Sequence, residues 1–116
     1  MFDELEKYNW SEWDAFPDPR KGESITAPFG YGLYQLKNVS TGEFILFGVS
    51  NNCAWRMTSL LPAPYGRGTR NNAAKREYLL ENITSITYRT VSFLSKEEMI
   101  FAEQEIKKIN VHKFNT

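Results

Sequence analysis

The spacing of apolar positions changes along the chain, and each change marks an element. Over residues 31–39, Tyr31, Leu33 and Gln35 alternate with Gly32, Tyr34 and Leu36, the two-residue period of a strand. Ser40-Thr41-Gly42 reads as a turn, and Phe44-Ile45-Leu46-Phe47 lies in a second strand over 43–49. Two such runs around a short glycine-containing turn predict a β-hairpin. Ser50 is the expected N-cap of a helix over 51–61, in which Cys53, Ala54, Met57, Leu60 and Leu61 share one arc and Arg56 sits at its edge. Pro62 and Pro64 end that helix, and a loop over 65–72 leads to a second helix over 73–81. A third strand is expected over 83–93. Ser95 then opens a capping box with Glu98, followed by a long helix to about Ile109. The order β-β-α-α-β-α predicts an α+β fold, a small central antiparallel three-stranded sheet flanked by helices, over residues 31–116.

Upstream of this pattern, residues 1–30 form an acidic, aromatic arm. Residues 1–9 suit a short helix, while Pro17, Pro19, Gly22, Pro28 and Gly30 make 10–30 irregular. Trp10, Trp13 and Phe16 are expected to pin the arm to the domain, because an aromatic left in water forfeits about 1.5–3 kcal/mol. The arm is either a strap over the fold or a surface for a protein partner or for self-association.

Composition narrows the classes. A chain of 116 residues with 41% apolar content fits one domain with its own core. The single cysteine, Cys53, excludes an internal disulfide, and no Cys/His cluster has zinc spacing. The one histidine, His112, lies in the tail and reads as a surface residue. Met1-Phe2-Asp3-Glu4 is no apolar leader and no run reaches membrane length, so a cytoplasmic protein without a membrane partner is expected. Net charge is zero, yet residues 1–19 hold six acids and one base, and residues 44–76 hold five bases and no acid. Such a basic segment either meets a polyanion or is an ordinary solvated face.

One position stands out chemically. Met99, Ala102, Ile106 and Ile109 define the inward stripe of the last helix, and Glu103 projects within it. A carboxylate there needs a cation such as Arg56, or must reach water at the helix edge.

Several short motifs share the order of one known family. Gly32-Leu33-Tyr34 is similar to a GIY signature on the first strand, and Leu46-Phe47-Gly48 falls where YIG belongs on the second. The run from Gly48 through Ser50 and Asn51 to Arg56, then Ala102-Glu103 on the final helix and Phe114-Asn115 twelve positions after Glu103, complete the pattern. Together these resemble the GIY-YIG endonucleases, most closely the excision-repair type, across residues 31–115. The resemblance implies a hydrolase that cleaves phosphodiester bonds of DNA, with RNA left open, using Mg²⁺ or Mn²⁺. It assigns Glu103 to the metal, Arg56 to the phosphate, Tyr34 to the attacking water as base or orienter, and Asn115 to a substrate oxygen or a water. Arg67, Arg70, Lys75 and Arg76 are expected on the nucleic-acid backbone. Leu46 stands where the family has a tyrosine, and position 60, where many members have a polar residue, is leucine. The alternative is a catalytically inactive module of the same fold that binds nucleic acid or a protein.

Overall fold

The computed structural model describes residues 6–17, 27, 29–58, 73–109 and 111–114. In chain order these form β1 (Asp14–Ala15), β2 (Phe29–Asn38), β3 (Glu43–Asn52), α1 (Cys53–Thr58), α2 (Ala73–Glu81), β4 (Ile86–Ser92) and α3 (Lys96–Ile109). A 3-10 turn at Ile83–Ser85 leads into β4. The architecture is α+β, and the sheet is antiparallel throughout with strand order β1-β4-β2-β3.

The sheet has four strands where three were expected, because the arm supplies one. Ser11 N–H donates to the Thr90 carbonyl at 2.8 Å and Phe16 N–H to that of Ile86 at 2.9 Å, which lays residues 11–16 along the open edge of β4. A two-residue strand carries too little alternation to be read from sequence. The opposite edge is covered by the tail, where Lys113 and Phe114 N–H groups donate to the carbonyls of Phe44 and Ile45 at 3.0 and 2.8 Å. The arm thus covers the edge of β4 and the tail part of the edge of β3, which would otherwise be templates for another chain.

The hairpin runs longer than its apolar pattern, with β3 continuing through Asn52. The helix after it therefore starts at Cys53 rather than 51. Ser50 Oγ accepts the Asn52 N–H at 3.0 Å, so the hydroxyl closes a local turn at the strand end. The hairpin turn fits its sequence: Gly42 has φ +74°, a conformation that side chains disfavour. Ser95 caps α3 as expected, its hydroxyl accepting the Glu98 N–H at 3.2 Å.

Strand alternation divides the core into two layers. Tyr34, Leu36, Leu46 and Tyr88 face α1 and α2, where they meet Cys53, Met57 and Leu79. Leu33, Phe47 and Val91 face the other way, onto Ala102 and Ile106 of α3. Among the described residues, no helix is long and apolar enough to cross a membrane.

Candidate active site

The two tripeptides of the hairpin interlock. In the register of β2 and β3, Tyr34 lies directly opposite Gly48, Gln35 opposite Phe47 and Leu36 opposite Leu46. A methyl group on Gly48 would fall 2.6 Å from Tyr34 Cζ and press on its hydroxyl. The phenol therefore lies over the glycine, in space that only a residue without Cβ leaves open. Tyr34 is 1% exposed, so its position is fixed by packing. Leu46 is wholly buried against Leu36 and contributes no polar group.

The other candidates are placed as follows. Arg56 belongs to α1, which packs on the Tyr34 layer, but its side chain lies outside the described residues. Glu103 emerges from α3 beside Ala102, whose neighbours are Leu33 and Phe47 in the opposite layer. Its carboxylate is partly exposed and lies 3.8 Å from Lys107, one helical turn on. Glu103 has thus taken the helix-edge position rather than the middle of the stripe, and Tyr34 and Glu103 belong to different layers. Asn115 lies outside the described residues, although its neighbour Phe114 is anchored, with its ring 5.6 Å from that of Tyr78. Arg67 and Arg70, and the side chains of Lys75 and Arg76, also lie outside them.

Among the described residues, no group of three or more His, Cys, Asp or Glu side chains gathers as a metal site. Glu103 alone offers one accessible hard oxygen donor, which is compatible with Mg²⁺ or Mn²⁺ completed by water and phosphate oxygens. Cys53 is 1% exposed, and burial pushes its thiol up to about 11, away from the thiolate that a nucleophile needs.

A second polar assembly was not foreseen. Arg89, 4% exposed on β4, donates from both terminal nitrogens to Glu6, at 2.9 and 2.7 Å. Its Nε donates to Gln35 Oε1 at 2.8 Å. The guanidinium also lies over the rings of Trp10 and Trp13, 4.1 and 4.4 Å from their centroids. The arm's tryptophans thus cover a buried cation rather than a purely apolar core. Because Gln35 Oε1 accepts from Arg89, its Nε2 donates to His112 Nε2, 2.9 Å away. His112 is therefore neutral, with its proton on Nδ1, which is buried and finds no partner among the described residues. Burial, and then the charge of Arg89, push the imidazole down from 6.5 to about 4. The expected surface histidine is instead packed against Phe44 and Phe47. The available signal was phase: Gln35 and Arg89 are polar residues on strand positions facing the same way as Leu33 and Val91.

Compared with protein-family models, curated proteins and solved structures, the chain matches none.

Proposed function

We propose that the chain is a GIY-YIG-like domain that hydrolyses phosphodiester bonds of DNA with the help of a divalent cation. The observation that carries this reading is the register of the hairpin, which sets the tyrosine of one signature on the glycine of the other. The pairing brings the two tripeptides that carry the resemblance into direct contact, the ring filling the space that glycine leaves.

In this reading Glu103 holds Mg²⁺ or Mn²⁺, which supplies charge neutralisation at the phosphate. Arg56 offers two parallel N–H groups to the phosphate oxygens, a geometry that lysine does not provide. Tyr34 orients the attacking water or takes its proton, a role that requires the cationic surroundings to lower a phenol that normally titrates near 10. Asn115 positions an oxygen of the substrate, and Arg67, Arg70, Lys75 and Arg76 hold the backbone by charge.

A second reading, a binding module without cleavage, is favoured by two observations. Tyr34 is 1% exposed in a layer other than that of Glu103, and Leu46 removes a hydroxyl from the hairpin. Nicking of supercoiled plasmid by the wild type and by Glu103→Gln, together with Mn²⁺ binding, separates the two.

A further inference from the structure

Where the arm meets α3, the fold leaves an open groove of about 590 Å³. Its apolar walls are Tyr8 and Phe93 on one side and Phe101 and Ala102 of α3 on the other. Tyr8 is held in place: its ring stands edge-on to Trp10 and Phe93 at 6.3 and 6.5 Å, and its hydroxyl donates to Glu105 at 2.5 Å. Phe101 is 63% exposed and also lines a smaller hollow of about 180 Å³ beside Lys108. Its ring stands between two hollows.

The rim of the groove is acidic. Lys7 is the one cation lining it among the described residues, and it lies 3.0 Å from Glu105. Among the described residues, Glu97 and Glu98 have no ion-pair partner. Both lie in the first turn of α3. The groove thus combines an exposed aromatic ring with two uncompensated negative charges. That combination repels a phosphate backbone and complements a cationic ligand with an apolar face.

We infer that this groove docks a cationic amphipathic peptide segment of a protein partner. An apolar side chain of the segment seats against Phe93 and Phe101, and a lysine or arginine beside it meets Glu97 and Glu98. The inference uses neither Tyr34 nor Glu103 and is independent of the nuclease reading.

The test uses the full chain and two labelled helical peptides, one of leucine and lysine, the other of leucine and glutamate, followed by fluorescence anisotropy. The Leu/Lys peptide is expected to bind at least tenfold more tightly than the Leu/Glu peptide. Phe101→Ala and the double change Glu97→Lys, Glu98→Lys are each expected to weaken it at least tenfold. Glu43→Lys, on the exposed hairpin, reverses a single charge outside the groove and is expected to change binding less than twofold. Amide shifts should move at Phe93, Phe101 and Ala102, which shows the location without relying on a variant. The variants alter exposed side chains, and circular dichroism checks that each is folded. Equal binding of both peptides, insensitivity to Phe101→Ala, or an equal effect of Glu43→Lys would overturn the inference. So would a dimer in sedimentation that Phe101→Ala dissolves, since the occupant would then be a second copy of the chain.

Discussion

Replacing Gly48 by alanine tests the interlock between the two strand signatures. Gly48 is not required for its backbone: among the described glycines only Gly30 and Gly42 have positive φ. The new methyl would lie 2.6 Å from Tyr34 Cζ and 3.1 Å from Cε1. Carbon atoms normally rest about 3.5–4.0 Å apart, so the ring or the strand must yield by about 1 Å. Tyr34 is 1% exposed in a packed layer and has no free volume to move into. Overpacking of this kind costs up to about 3 kcal/mol, against about 0.7 kcal/mol returned by the stiffer unfolded chain. The net loss is about 2 kcal/mol, which at about 4 °C per kcal/mol lowers Tm by about 8 °C. Urea melts of wild type, Gly48→Ala, Tyr34→Val and the double variant measure the coupling. Removing the ring should abolish the cost of the methyl, giving a coupling of at least about 1.5 kcal/mol. Additivity within about 0.5 kcal/mol would refute the contact and, with it, the observation that carries the proposed function.

Two further outcomes concern the polar network. Arg89→Ala strips partners from Glu6 and the buried Gln35 together with the cover of Trp10 and Trp13, and should cost about 3 kcal/mol in urea melts. Glu6→Gln keeps an acceptor for the guanidinium but removes the counter-charge of Arg89, which is 4% exposed, and should cost about 1–3 kcal/mol; a loss below about 0.5 kcal/mol would show that the pair contributes little. His112 titrates at 6.5 when unfolded and at about 4 when folded, so the unfolded state binds more protons between those values and stability falls as pH drops through that window. The loss approaches about 3 kcal/mol by pH 4, at about 1.4 kcal/mol per unit, and His112→Gln should flatten the profile between pH 6.5 and 4.5. Glu6 and Glu105, held low by their partners Arg89 and Tyr8, lose their contributions only below that range.

Elements with a sustained apolar period were legible from the sequence, namely the hairpin, the third strand of the pattern and the capped last helix, and the helix at 73–81 was also found although its apolar period is weak. Boundaries governed by polar residues were not. Ser50, Asn51 and Asn52 read as the start of a helix, but their backbone continues β3. The edge strand from the arm was hidden because two residues have no period. The role of Trp10 and Trp13 was only half visible, since burial of aromatics was foreseeable and their stacking on Arg89 was not. His112 was misplaced because a lone tail histidine carries no phase, and its contacts with Gln35 and Phe47 arise only when the tail pairs with β3. Within the candidate site, the motifs gave the positions of Tyr34 and Glu103, while their assignment to different layers depends on how α3 crosses the sheet.

The most direct test of the account is nicking of supercoiled plasmid by the full chain in Mg²⁺ or Mn²⁺, with EDTA and Glu103→Gln as controls. The account predicts cleavage that requires the metal and is reduced at least a hundredfold, about 2.7 kcal/mol of transition-state stabilisation, by the glutamine. A folded wild type that neither cleaves nor binds Mn²⁺ would contradict it and leave the binding module as the function of this fold.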